Sequence, residues 1–326
     1  MGEEDMNERY MPLAATIVVF LAIYAFGAAA YNNFLSTLVF GDLLTDNAFV
    51  IIAAIGATFV ILSGGIDLSV GSMIGFVSVA MAALDAQGWH PLLSALLLVS
   101  FGAVFGGAMG ALIDACDIQP FILTLAAMFL LRGLCFVITL DSLPINHPFV
   151  AAFSDWRIPL PGDGRLSASA LLMLAALAAG IVLAHFTRFG ANVYAIGGDR
   201  NSARLMGAPI RRTMIQVYGL GGFYGALAGV AYAFYTGSGY PLAAVGVELD
   251  AIAAVVLGGT LLTGGVGYVA GTLFGGLIQG TIQTLITFDG RLTSWWTKIV
   301  IGALLFFFIT AQRSIMRSTA LMRHPA

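Results

Sequence analysis

Nineteen residues in a row, from Pro12 to Ala30, contain no Asp, Glu, Lys or Arg, and the same holds from Asn47 to Ile66, from Leu68 to Leu84 and from Ala86 to Ile113. About 20 such residues make an α-helix long enough to cross the roughly 30 Å hydrocarbon core of a bilayer. Hydrophobic residues reach 59% and charged ones only 10%, where a soluble domain has roughly half and a quarter. The chain therefore reads as an all-α polytopic membrane protein.

Spans are expected near 12–30, 44–63, 69–86, 91–115, 120–140, 167–186, 214–236, 243–262, 266–287 and 294–311, ten in all. The second, third, eighth and ninth hold enough glycine to be broken or re-entrant. Glu3, Glu4, Asp5 and Glu8 outweigh Arg9 ahead of the first apolar run. That is the wrong sign for a secretory n-region, so this run should stay as a span. The expected layout is a cytoplasmic tail over 1–11, one transmembrane domain over 12–311 and a cytoplasmic tail over 312–326.

The one long polar interruption rich in arginine is 187–213, with Arg188, Arg200, Arg204, Arg211 and Arg212. With this loop placed in the cytoplasm, ten spans put both termini there. Nine basic residues then lie inside: Arg9, the five loop arginines, Arg313, Arg317 and Arg323. Arg157, Arg165, Arg291 and Lys298 fall outside, and Arg132 sits within a span. The asymmetry follows the positive-inside rule. Trp89, Trp156, Trp295 and Trp296 all fall at the outer face. Within the loop, Gly197 and Gly198 break the chain, Asp199 can cap a helix, and Gly207 with Pro209 can end it. A helix from Arg200 to Met206 is too short to be stable alone, so it should be docked onto something; an ordinary capped loop helix is the alternative.

Glycine also recurs at four-residue spacing in three ladders, Gly102/Gly106/Gly110, Gly221/Gly225/Gly229 and Gly267/Gly271/Gly275. Such ladders let helix backbones approach closely, within one subunit or between two. Residues 64–71 and 258–265 share the pattern G-G-x-x-L-[S/T]-x-G. Matching glycine interruptions in two halves of a transporter point toward the permeation pathway, and the span count makes these copies parallel.

Polar groups inside the spans are few. Arg132 needs a partner or water, and Asp114 or Asp67 can supply the charge. Asp67 either caps the third span or lines a path with Ser69. Asn47, Asn146, Glu248, Asp250, Gln279 and Gln283 can offer hydrogen bonds to a polar solute, or serve as structural bonds. Cys116 and Cys135 stand alone in apolar surroundings and read as inert buried thiols.

The only lysine is Lys298, and no G-x-x-x-x-G-K-[S/T] is present. ATP-driven work would thus need another chain to bind the nucleotide. No metal or nucleophile motif occurs, and no chain of intramembrane acids. No catalytic residue, bound cofactor, metal or nucleic-acid partner is expected.

Residues 59–72, FVILSGGIDLSVGS, and 247–260, VELDAIAAVVLGGT, resemble the hallmark segments of permease subunits in ribose-type bacterial ABC importers for monosaccharides. Tyr194-Ala195-Ile196-Gly197-Gly198, followed by Ala203 and Gly207, is similar to that family's cytoplasmic coupling segment. A narrower likeness, at 44–49, 144–148, 164–168, 288–290 and 294–298, is to one of the two permeases of galactofuranose importers. The resemblance implies an inner-membrane permease that pairs with a second permease, a paralogue in the galactofuranose case, within the lipid bilayer. It also implies an ATPase chain carrying ATP and Mg, a periplasmic sugar-binding protein, and transport by alternating access. It assigns ATPase contact to Gly198, Asp199, Arg200, Ala203, Arg204 and Gly207. The candidates for the sugar path or gate are Asn47, Asp67, Ser69, Glu248, Asp250, Gln279 and Gln283. The rival readings are a permease for ribose or xylose, an ion-coupled transporter or passive channel using Asp67, Asp114 and Arg132, and a structural scaffold.

Overall fold

A computed structural model describes residues 3–293 and 295–323. Residues 1–2 and 324–326 of the expected tails, and Ser294 at the head of the last expected span, lie outside the described residues. In chain order the helices are α1 (Glu3–Ala30), α2 (Thr37–Asp46), α3 (Ala48–Leu62), α4 (Val70–Ala86), α5 (Pro91–Ala115) and α6 (Pro120–Ile138). Strand β1 (Leu143–Pro144), α7 (Pro148–Asp155), β2 (Arg157–Pro159) and β3 (Arg165–Ser167) follow. Then come α8 (Ala168–His185), α9 (Arg188–Gly198), α10 (Arg200–Leu205), α11 (Ile210–Thr236), β4 (Ser238–Gly239), α12 (Val247–Leu257), α13 (Val269–Asp289) and α14 (Trp295–Arg323).

Local chemistry sets the helix starts. Ser36, Ser167 and Thr187 each cap the following helix with a side-chain oxygen, while α5, α6 and α7 begin with proline, whose missing N–H costs nothing there. Among the described residues, six helices are long and apolar enough to cross a membrane: α1 from Pro12, α5, α6, α8, α11 and α13. The pair α2 and α3, bent by 54° at Asn47, which ends one helix and begins the next, is a broken span or a re-entrant loop and makes seven spans if counted as one. Apolar α4 and the first part of α14, Trp295–Thr310, are shorter.

The eighth expected span, one of the four expected to be broken or re-entrant, departs most from a plain helix. Within 243–262 only the 11 residues of α12 are helical. Gly246 lies at φ 88° ahead of it, and Gly259 at φ 88° after it. These left-handed positions stop a helix at little cost only for glycine. The upper part of this segment is non-helical backbone, and β4 just before it pairs antiparallel with β1. A second small ladder joins β2 and β3.

Helix α11 is the central post. Its Tyr218 and Tyr224 are fully buried, and Tyr224 Oη donates to the Ala176 carbonyl of α8 at 3.0 Å. All three glycine ladders pack inside the chain. The first ladder lets α5 meet the α11 backbone at Tyr218 and Gly222, the second seats Met73 and Val77 of α4, and the third brings α13 against Ala254 and Gly258.

The two echoed glycine motifs touch each other. The Gly265 amide donates to the Leu62 carbonyl at 2.9 Å, and a side chain on Gly264 would overlap the Gly64 backbone. The ends of α3 and α12 are thereby tied together.

Candidate functional site

The arginine-rich loop folds as two helices, α9 and α10. Asp199 Oδ1 accepts from the Ser202 amide at 2.5 Å, which caps α10 as its position suggests. That amide, then the Ser202 hydroxyl, hold the Asp199 carboxyl below the ordinary carboxylate range. The far end closes on Gly207 at φ 81°. There the Ala208 amide donates to the Ala203 carbonyl and the Gly207 amide to that of Arg204, each at 3.0 Å, the bond pair of a Schellman stop.

The short helix has an inner and an outer side. Arg200 Nη2 donates to Asp114 Oδ1 at the end of α5, 2.8 Å away. Ala203 is fully buried with Ile113, Ile196 and Ile210. Arg204 faces out, with Leu205 89% and Met206 74% exposed. Arg188, Arg204, Arg211 and Arg212 have no ion pair among the described residues. A basic face with two apolar knobs results.

Behind the loop lies the glycine junction. A Cβ on Gly197 would overlap the Leu62 carbonyl and the Gly265 amide, and one on Gly265 would meet Gly198. Gly264 and Gly265 hold φ 85° and 74°. The C-terminal end of α9 thus rests on backbone from α3 and from the segment after α12, with no side chain between.

Deeper in the bundle, Asp67 Oδ1 accepts from the Ser69 amide at 2.8 Å and its hydroxyl at 2.6 Å; both residues are buried at the entry to α4. Asp250 pairs with Lys298 at 2.5 Å, its carbonyl accepts from Gln279 Nε2 at 3.0 Å, and Gln283 Oε1 accepts from Thr297 Oγ1 at 2.6 Å. These groups tie α12, α13 and α14 into one polar belt. Asn47 Nδ2 donates to Leu43 at 2.8 Å and presses on Gly280 of α13, beside that belt. Glu248 stands elsewhere: its Oε1 accepts from the Gly246 amide at 3.2 Å, and its Oε2 is buried without a hydrogen-bond partner among the described residues.

Residues 39–309 match the family described as branched-chain amino acid transport system, permease component. The chain belongs to this family of membrane permeases. It is 55% identical to the inner membrane ABC transporter permease protein YjfF of Escherichia coli, over 95% of this chain and 94% of that one. It is 37% identical to the fructose import permease protein FruG of Bifidobacterium longum, over 95% and 93%. To the ribose import permease protein RbsC of Bacillus subtilis it is 38% identical, over 86% of each chain. No solved structure matches. The permease is a multi-pass protein of the inner membrane, a transport component rather than a catalyst, and family membership implies an ATPase on a separate chain.

Two sequence expectations about the permease need correction. Arg132 pairs with neither Asp114 nor Asp67; its Nη1 donates to the carbonyls of Pro241 at 2.6 Å and Ala243 at 2.8 Å. Asp114 is taken by Arg200. Cys116 is exposed, because it lies just past the end of α5, while Cys135 is buried as expected. Leu205 and Met206 were missed. Their signal was available, since a helix capped at Asp199 with Ala203 inward must turn Leu205 and Met206 away.

Proposed function

We propose that this permease forms half of the translocation path of an ATP-driven monosaccharide importer, working by alternating access. Galactofuranose is the sugar that the motifs at 44–49 and 144–148 favour, with ribose or xylose as the alternative. Relatives named for ribose and fructose import support the sugar class. The observation that carries the reading is α10, locked to the bundle by Arg200 and Ala203 while Arg204, Leu205 and Met206 project outward. A separate ATPase, holding ATP and Mg, docks on that face.

In this scheme both termini and the coupling loop are cytoplasmic, a second permease, a paralogue, completes the path within the lipid bilayer, and a periplasmic binding protein delivers the sugar opposite. ATP binding moves α10; Gly197 and Gly198 pass the shift to α3 and α12. ATP and the loaded binding protein must each favour different states, since a ligand bound equally to both shifts nothing. Asn47, Asp67, Ser69, Glu248, Asp250, Gln279 and Gln283 are the polar groups available to the path or its gate. The gradient-driven alternative loses support because Asp114 is paired with Arg200 and Arg132 is bound to carbonyls.

The test is purification from native membranes in mild detergent, followed by ATPase assay with and without sugar-loaded binding protein. Co-purified ATPase stimulated by the galactofuranose-loaded protein supports the whole reading. Stimulation by ribose or xylose alone replaces the substrate, and recovery of the chain alone, active in gradient-driven uptake, refutes the class.

A further inference from the structure

The segment between α11 and α12 runs down the side of α4. Gly239 lies against Ser78, the Ala243 carbonyl against Gly75, and the Ala244 carbonyl against Gly71. Gly75 is eleven residues from the end of α4 at Ala86, which places it roughly 16 Å below that end. With the end of α4 at the membrane surface, as the expected span 69–86 puts it, non-helical backbone reaches about the middle of a 30 Å core.

Its back is braced. Arg132 donates to the Pro241 and Ala243 carbonyls, and Glu248 accepts from the Gly246 amide. Gly71 and Gly75 make room, since a Cβ on the first would overlap Glu248 Oε2 and one on the second would crowd Arg132.

Its front is open. Tyr240, Leu242, Val245 and Leu249 are exposed, Val245 by 64% and Leu249 by 62%. The amides of Leu242, Ala244 and Val245 have no acceptor among the described residues. Lipid cannot be their neighbour, because irregular backbone at membrane depth occurs only where protein buries it or where it lines a water-filled cavity. The lipid-facing helices contrast with this: Val104, in mid-α5, is 73% exposed but on backbone that is helically bonded.

We propose that the front of Tyr240–Gly246, continued by Leu249, lines the aqueous sugar path, its free amides donating to sugar hydroxyl oxygens as the solute passes. Arg132 and Glu248 are positioning residues that hold this strip against α4. The inference rests on the permease reading above.

The experiment uses the complete transporter in membrane vesicles, with Cys116→Ser to remove the exposed thiol. Single cysteines are placed at Leu242, Val245 and Leu249, with Val104→Cys and Val137→Cys as lipid-facing controls. A charged, membrane-impermeant thiosulfonate should label the three strip positions at least about ten-fold faster than the controls, as water access to only one set requires. Adding Arg132→Leu should change the labelling rate at Val245→Cys several-fold, with Arg132→Lys between the two, at unchanged expression. Labelling as slow as at the controls, or disulfide cross-linking to the second permease without aqueous labelling, overturns the proposal. ATP-driven uptake by the unsubstituted complex separates the two claims. Uptake with an unlabelled strip sinks this inference alone; a labelled strip in a complex that takes up sugar without ATP sinks only the ATP-driven reading.

Discussion

Replacing Leu205 and Met206 together by alanine tests the coupling face most directly. Both side chains project from the outer side of α10, 89% and 74% exposed, so the isolated permease loses almost no packing when they are cut back. Burying each fully against a partner is worth about 1.5–3 kcal/mol. At the lower end the pair contributes about 3 kcal/mol, which at about 1.4 kcal/mol per decade is roughly a 100-fold change in affinity. The assay is titration of the purified ATPase onto the permease in lipid nanodiscs, with thermal unfolding of the permease alone as control. A roughly 100-fold weaker ATPase affinity at unchanged stability is expected. Arg204→Ala should cost much less, about five-fold or under, since exposed ion pairs are worth roughly 0.2–1 kcal/mol. Wild-type affinity in the double variant would refute the outward-facing knobs as the docking element.

Gly197→Ala should keep ATPase binding but cut ATP-driven uptake at least about ten-fold, because the new methyl forces α9 off the Leu62 carbonyl; uptake at the wild-type rate would show that the junction is slack. The Asp199 cap has a folded pKa below its unfolded value of about 3.9. Its contribution is thus fully present above about pH 5 and lost as pH falls through the folded pKa, so ATPase binding should carry no dependence from this cap between about pH 5 and 8. Asp199→Asn, which keeps an acceptor, should bind at pH 7 better than Asp199→Ala, as measured by the same titration. Thiol labelling of the folded permease should modify Cys116 and spare Cys135 until denaturant is added; two rapid thiols in the native protein would contradict the burial of Cys135.

The apolar runs were legible because hydrocarbon demands length and little else. Nine of the ten expected segments coincide with helices, the second bent at Asn47. The capped helix at Asp199 was legible for a different reason: capping and the Gly207 stop are local chemistry, complete within about ten residues. The eighth segment was legible only in part: its glycines marked it as breakable, but an unwound half-span and a continuous helix bury similar apolar residues and differ in where their carbonyls go. For the same reason the partners of Arg132 could not be read from residue types. Its acceptors are the carbonyls of Pro241 and Ala243, 109 and 111 positions away, and every residue has a carbonyl. Asp114 was offered beside Asp67 as a partner for Arg132 on charge alone, whereas the fold places it at the end of α5 beside Arg200, 86 positions on.

The repeated glycine motif illustrates what such a signal does and does not carry. As sequence, G-G-x-x-L-[S/T]-x-G at 64–71 and 258–265 is eight positions, too short to establish a repeat. In the fold the two copies end the short helices α3 and α12 and lie against one another through Leu62, Gly64, Gly264 and Gly265. Their glycines serve close approach and left-handed backbone rather than any chemistry of their own. The same contact receives Gly197 and Gly198 from the arginine-rich loop. A contact made of backbone has no rotamer with which to absorb a displacement, so in the proposed cycle any movement of α10 must be shared by α3 and α12. Residues 240–246 adjoin α12 directly at Val247, so the strip that Arg132 holds against α4 is the next element along the chain to feel that movement.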